Sequence, residues 1–325
     1  MRIFLCCFCL FTISLAGFAQ NELRPADRER LAVYEDTLVG LGTIVLTDTV
    51  AENRFAATRK LITTLVKALE TPHSFRYKFP ALETVSIQYP QDSSFRLFTW
   101  QLYVDKSDYR YYGAIQRPGE TLDLIALSDR SADMRARELK TATLTPDNWY
   151  GFLCYKIRQF DTPTGRKYLL FGFDGFEFFD KRKLVDVLQF DAAGRASFGA
   201  PVFVREDPDA AVPHRLLFEY NAEASIRLNY DEHLDVLIHS HLIPMGNRHT
   251  GFPSNVPDGS FVGYALDTDG RWHERPKMFT TTVKDAPRDT PILDDEKGRN
   301  VNGEVITAPT KKAPKRRKRR SDKNG

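Results

Sequence analysis

The chain has 325 residues, 42% hydrophobic and 27% charged, a balance that suits a globular protein with one large core or two smaller ones. Its formal net charge of +3 is the sum of two opposite regions. Residues 311–325 hold nine Lys and Arg and one Asp, leaving 36 Lys and Arg against 42 Asp and Glu over residues 20–310.

The N-terminal twenty residues read as a secretory signal peptide. Arg2 supplies the positive end, Ile3 to Leu15 form an apolar run too short to span a bilayer, and Gly17 and Ala19 precede a cut before Gln20. An uncleaved N-terminal anchor is the alternative. Cleavage would remove Cys6, Cys7 and Cys9 and leave Cys154 alone, which excludes an internal disulfide framework and puts stability on the core. No other stretch approaches the length of a membrane span, so the expected product is secreted across the inner membrane and is periplasmic or at the cell surface.

Residues 20–71 read as a helical hairpin. Leu31, Tyr34, Leu38, Leu41 and Val45 make one stripe at helical spacing, with Asp27 as the expected N-cap and Gly40 and Gly42 expected to bend or end the helix. Thr49 and Glu52 have capping-box spacing. Phe55, Ile62, Leu65, Val66 and Leu69 form a second stripe, closed by Thr71-Pro72.

From residue 72 to 285 the period changes to two. In FRLFTWQLYV, residues 95–104, both faces carry apolar groups, which predicts an interior strand covered on two sides. YRYYGAIQ and TLDLIAL continue the pattern, and residues 131–139 read as a short polar helix or loop. Beyond residue 149, aromatic and β-branched runs alternate with turn signals: DTPTG, DAAGR, NAEA and DTDG. The segment GFDG predicts a tight turn with Gly175 left-handed. About ten or eleven strands are expected, so the fold class is α+β: a helical hairpin, then a mostly antiparallel β body (barrel, sandwich or propeller-like meander). Residues 286–325 lose the apolar pattern and read as a disordered basic tail.

The best chemical lead is NYDEHLDVLIHSHLIP, residues 229–244. His239 and His241 are two apart, which in a regular strand puts both on one face as a metal pair. His233 and Asp231 in the preceding turn are the nearest further ligands, and His214, His249 or His273 could complete a zinc site. The competing reading is a hairpin with solvated charges, and no cofactor is predicted on that reading. Asp174, Glu177 and Asp180 in GFDGFEFFDKRK are candidate acid–base carboxylates for a glycoside, against an ordinary turn. Trp149, Trp100 and Trp272 could stack on sugar rings, against a place in the core; Trp149, after TPD, is the one expected near a rim. Cys154 reads as a buried structural thiol. Gly270 lies fourth from Asp267, which fits a hairpin turn rather than a calcium loop. Lys315, Arg316, Arg317, Lys318, Arg319 and Arg320 would bind anionic lipid head groups or polysaccharide by charge, with no specific nucleic-acid recognition. GxSxG, HExxH, Walker and dinucleotide fingerprints are absent from the sequence.

The runs SFRLFTWQL, TPDNWYG, LLFGFDG, KLVDVLQFD and LLFEYNAEASIRLNYDE resemble a family of uncharacterised secreted proteins from Bacteroidetes-type bacteria, over about residues 30–275. The resemblance implies a secreted bacterial protein and carries over no activity or catalytic residue. The expectation from sequence is therefore a non-catalytic cell-envelope binding or structural protein, with a glycan or protein partner for its body and a cationic tail for anionic surfaces. The alternative is a metal-dependent or carboxylate-based hydrolase centred on His239 and His241. A transmembrane β-barrel is disfavoured, because the strands show no consistent lipid-facing side.

Overall fold

The computed structural model describes residues 22–207, 209, 211–246, 251–276 and 278, and the backbone of 292–294 and 299–300. The chain divides into two units, residues 1–279 and 280–325. In the second, Ile292–Asp294 pairs antiparallel with Arg299–Asn300. The expected signal peptide and the tail cations Lys315, Arg316, Arg317, Lys318, Arg319 and Arg320 lie outside the described residues.

Two helices open the first unit: α1 (Pro25–Thr47) and α2 (Ala51–Leu69). Their start signals, and the effect of the glycines in α1, differ from expectation. Helix α1 begins with Pro25 after Arg24, and Asp27 is buried inside the helix, accepting a 2.6 Å hydrogen bond from Arg24 Nε. Proline at this first position has no amide to satisfy, and no side chain caps the amides that follow it. Gly42 does not end α1. A Cβ at that position would lie 1.9 Å from Thr84 Oγ1, so its lack of a side chain admits the loop that crosses the helix. At α2 the expected capping box does not form; Asp48 Oδ1 instead accepts from Val50 N at 2.7 Å.

Among the described residues of this unit, fourteen strands follow in three open sheets, none closed into a barrel. The first is a meander of β1 (Ser86–Gln88), β2 (Arg96–Asp105), β3 (Asp108–Arg117) and β4 (Asp123–Ser128). The second orders β10 (Leu216–Asn221), β7 (Asp180–Phe190), β6 (Gly165–Asp174) and β5 (Leu153–Thr162), with β8 (Ala196–Phe198) also on β7. The third orders β11 (Leu228–Asp231), β12 (Val236–Gly246), β13 (Pro253–Leu266), β14 (Trp272–Arg275) and β9 (Phe203–Val204). All pairings in these sheets are antiparallel except β14 with β9. NAEA is not a hairpin turn: β10 pairs with β7 and β11 with β12, so the chain changes sheets there.

Strand alternation explains the layering. Phe98, Trp100 and Leu102 of β2 pack against Leu31, Leu38, Leu61 and Leu65 of the helices. Phe95 and Leu97, flanking them on the other side, meet Tyr168, Leu170, Leu184 and Leu188 of the second sheet. Leu169, Phe171, Val185 and Val187 then face Leu228, Leu237 and Trp272 of the third. A helix pair and three sheets thus stack around three apolar layers. Each fully buried Leu or Phe contributes roughly 1.5–3 kcal/mol through removal from water.

Candidate functional site

The histidine pair does not converge. The β12–β13 register shifts between Ser240 and Leu242, where residues 258–260 of β13 stand against His241 alone, and the two rings take different partners. His239 is 8% exposed, its ring 4.3 Å from that of Phe218, with Nδ1 2.9 Å from the Ser240 carbonyl. His241 is exposed and pairs with Asp258 at 2.7 Å. Asp231 accepts from the backbone of His233 and Leu234 within the β11–β12 turn and pairs with Arg227; the His233 side chain is exposed. His214 contacts Thr143 and His273 contacts Asp269, while His249 lies outside the described residues. Among the described residues no three His, Cys, Asp or Glu side chains gather as metal ligands.

The tryptophans are not a ligand surface. Trp149, Trp100 and Trp272 are 0%, 4% and 1% exposed. Trp149 is held by Trp149 N to Ser128 O at 3.0 Å and Arg130 N to Trp149 O at 2.9 Å, which turns its ring onto Phe152 and Phe198. Trp100 stacks on Tyr112 beneath the helices, and Trp272 meets Phe160 and Tyr230 edge-on. Apolar burial outweighs the indole N–H, which has no partner in any of the three. Cys154 is fully buried, and burial pushes its thiol up to about 12, far from a reactive thiolate.

Of the three acids in GFDGFEFFDKRK, one forms the floor of a cleft. Asp174 ends β6, and its carboxylate accepts from Tyr111 OH at 2.9 Å, Tyr150 OH at 2.5 Å and Phe176 N at 2.8 Å. Tyr111 OH in turn accepts from Gly175 N at 2.7 Å, and Tyr150 OH from Arg182 Nη1 at 3.1 Å. Arg182 also binds Glu219, at 2.8 Å. The network therefore runs from Glu219 through Arg182 and Tyr150 to Asp174, and on through Tyr111 to backbone. Burial raises the Asp174 pKa, opposed by these donors and by Arg182. Burial and the neighbouring Asp174 raise both tyrosine pKa values, so Tyr111 and Tyr150 remain hydrogen-bond donors at neutral pH.

Above this floor lies a cleft of about 430 Å³. Its walls come from the β2–β3 turn and the start of β3 (Ser107, Asp108, Tyr109), the short turn and helix at 131–136 (Met134, Arg135) and the β6–β7 loop (Phe176, Glu177). Two backbone details shape it. The tight turn does place one residue left-handed, but that residue is Phe176, at φ 46, and not Gly175. Gly175 is required for space, since a Cβ there would lie 2.9 Å from the Tyr109 ring. Asp180 is turned away, accepting a short hydrogen bond from Ser254 Oγ.

The sequence singled out Asp174 and Glu177 but missed Tyr109, Tyr111, Tyr150, Arg135 and Arg182. Tyr109 and Tyr111, two apart on a strand, share a face, which is the one signal that could have grouped two of them. Chemically the cleft combines aromatic faces with acceptors (Asp108, Asp174, Glu177) and guanidinium donors (Arg135, Arg182). No family model, curated protein or solved structure matches the chain. No helix among the described residues is long and apolar enough to cross a membrane.

Proposed function

We propose that the protein is a secreted cell-envelope module that binds a glycan in the Asp174 cleft, with the basic tail adding attachment to anionic surfaces. One observation carries this reading: the rings of Tyr109 and Phe176 flank a buried, fully hydrogen-bonded floor of Asp174, Tyr150 and Arg182. A sugar ring needs both elements, an apolar plane to stack on and fixed polar groups that meet its hydroxyls. Because the floor groups hold one another in place, little side-chain entropy is lost on binding. The signal-peptide pattern and the resemblance to secreted bacterial proteins support the compartment. The cluster at 315–320 supports the attachment role.

The test is calorimetric titration of the purified protein against a panel of envelope and host-type oligosaccharides, in wild type, Tyr109→Ala and Arg135→Ser. At least one glycan should bind, with affinity reduced about tenfold or more in each variant. Absence of binding across the panel, or equal affinity in both variants, overturns the assignment; release of reducing sugar would replace binding by hydrolysis. For the tail, adhesion to anionic liposomes or acidic polysaccharide should fall with salt and with removal of residues 311–325.

A further inference from the structure

A second cavity, of about 370 Å³, lies at the end of the helical hairpin and is lined by His73, Phe75, Arg76, Lys78, Pro118 and Gly119. Three of its six walls are basic side chains and none is a carboxylate. Arg76 and Lys78 are exposed, and neither pairs with an acid among the described residues. Lys78 Nζ rests 3.9 Å over the Tyr89 ring. Glu120, which follows Gly119, offers its backbone carbonyl to His73 N at 3.1 Å, and its side chain is not part of the lining.

Behind this cavity sits an unneutralised charge. Arg96 is completely buried, and its guanidinium donates only to neutral acceptors: Gln116 Oε1 at 2.8 Å, Tyr77 O at 2.5 Å, Tyr89 OH at 3.0 Å and Ser74 O at 3.0 Å. No carboxylate joins them. The guanidinium carbon is 5.5 Å from the centre of the Phe75 ring, and Phe75 is a wall of the cavity. A buried cation without a counter-ion is costly, and its field leaves through the nearest opening of the low-dielectric interior. Here the backbone that holds Arg96, residues 74–77, also presents Phe75 and Arg76 to that opening. Exposed basic side chains and the buried guanidinium thus act on the same small volume.

We propose that this cavity binds an oxyanion group, a phosphate or sulfate ester carried on a larger ligand. Arg76, Lys78 and His73 are its contacts, and Arg96 is the fixed charge behind them. Charge-assisted hydrogen bonds from Arg and Lys match such a group in charge and geometry. The site shares no lining residue with the Asp174 cleft, and it stands or falls independently of the glycan reading.

The experiment follows the His73 ring resonances of the full chain by NMR while inorganic phosphate, sulfate, glycerol 3-phosphate and glucose 6-phosphate are added separately. Assignment uses His73→Asn, because asparagine tolerates the left-handed backbone of His73, φ 57. The two esters distinguish a lipid head-group source from a glycan source. A saturable shift is expected, weakened about tenfold or more in Arg76→Ser/Lys78→Ser. It should be unchanged when Arg316, Arg317, Arg319 and Arg320 are all replaced by Ser. Arg96 is left intact, because its four bonds tie β2 to three other segments. Arg76 and Lys78 are at exposed positions, and near-ultraviolet circular dichroism confirms the fold of the double variant. A shift that does not saturate with any of the four anions, an unaltered affinity in the double variant, or loss of the response with the tail charges overturns the proposal.

Discussion

The guanidinium carbon of Arg182 lies 3.3 Å from the centre of the Phe176 ring, and Phe176 holds a left-handed backbone at φ 46. The contact fixes the one residue of the β6–β7 loop whose conformation is costly, so the cleft wall and its polar floor are one mechanical unit. Arg182→Met should cost about 1–3 kcal/mol, because it removes the cation–π contact and leaves Tyr150 OH without its donor. At position 176, Gly should be more stable than Ala by roughly 1 kcal/mol, since both remove the ring and only Ala keeps the backbone strain. Urea denaturation of the three variants measures both effects. An Ala variant as stable as the Gly variant would show that the left-handed turn carries no strain.

Asp186 and Arg215 form an ion pair at 3.2 Å with no exposure of either side chain. Arg215 also donates to the carbonyls of Leu139, Ala142 and Phe198, so it ties the 139–142 segment to the second sheet. Arg215→Met should destabilise the fold by about 3–5 kcal/mol, because it leaves a carboxylate buried without its cation. The double change Asp186→Leu/Arg215→Met should recover part of that loss. Stability of the double variant no higher than that of Arg215→Met would show that the carbonyl contacts, and not the pair, dominate.

His239 provides a pH test. Burial lowers its pKa from the ordinary 6.5, with Glu274 opposing and Arg205 and His241 assisting the shift. The ring shares its cavity with Arg205, Asp207, Tyr264 and Glu274. A depressed histidine pKa means that the unfolded chain binds the proton more readily. This contribution to stability is therefore complete above pH 6.5 and is lost as pH falls through that value toward the folded pKa. Melting temperature should decline across this window in wild type and decline less in His239→Gln. Equal slopes for the two proteins would remove His239 as the cause.

Trp272 and Tyr109 should separate stability from binding. Trp272→Ala should cost about 3–5 kcal/mol, as for other large-to-small changes in a core, and leave glycan affinity of the folded protein unchanged. Tyr109→Ala should do the reverse, a small change in stability with the loss of affinity described above. Denaturation and calorimetry on the same samples read both. A Trp272→Ala protein that is fully stable but has lost binding would return the tryptophans to the ligand surface.

Much of the local structure follows from short windows of residues. The alternation in FRLFTWQLYV predicts a strand buried on both faces, and β2 is that strand, between the helices and the second sheet. DTPTG and DAAGR predict reversals, and β5–β6 and β7–β8 are antiparallel neighbours around them. The two helical stripes and the proline stop after residue 71 place α1 and α2. Periodicity and turn chemistry act within about ten residues, so they are readable without knowing what the segment packs against.

The site depended on contacts that no local window contains. Tyr109, Tyr111, Tyr150, Asp174 and Arg182 come from the first sheet, the connection ahead of β5 and the second sheet. Only the stacking of those sheets brings them together. The same packing drew Trp149 inward from a turn that looked exposed, and it buried His239 against Phe218 while leaving His241 exposed beside Asp258. Even the turn at GFDG was decided this way. The Tyr109 ring requires Gly175 to lack a side chain, and the chain reverses through Phe176 instead. The sequence by itself determined where strands and helices form. Which faces meet, and therefore which polar groups share a cleft, was decided by long-range burial, whose energy exceeds the small preferences that single residues express.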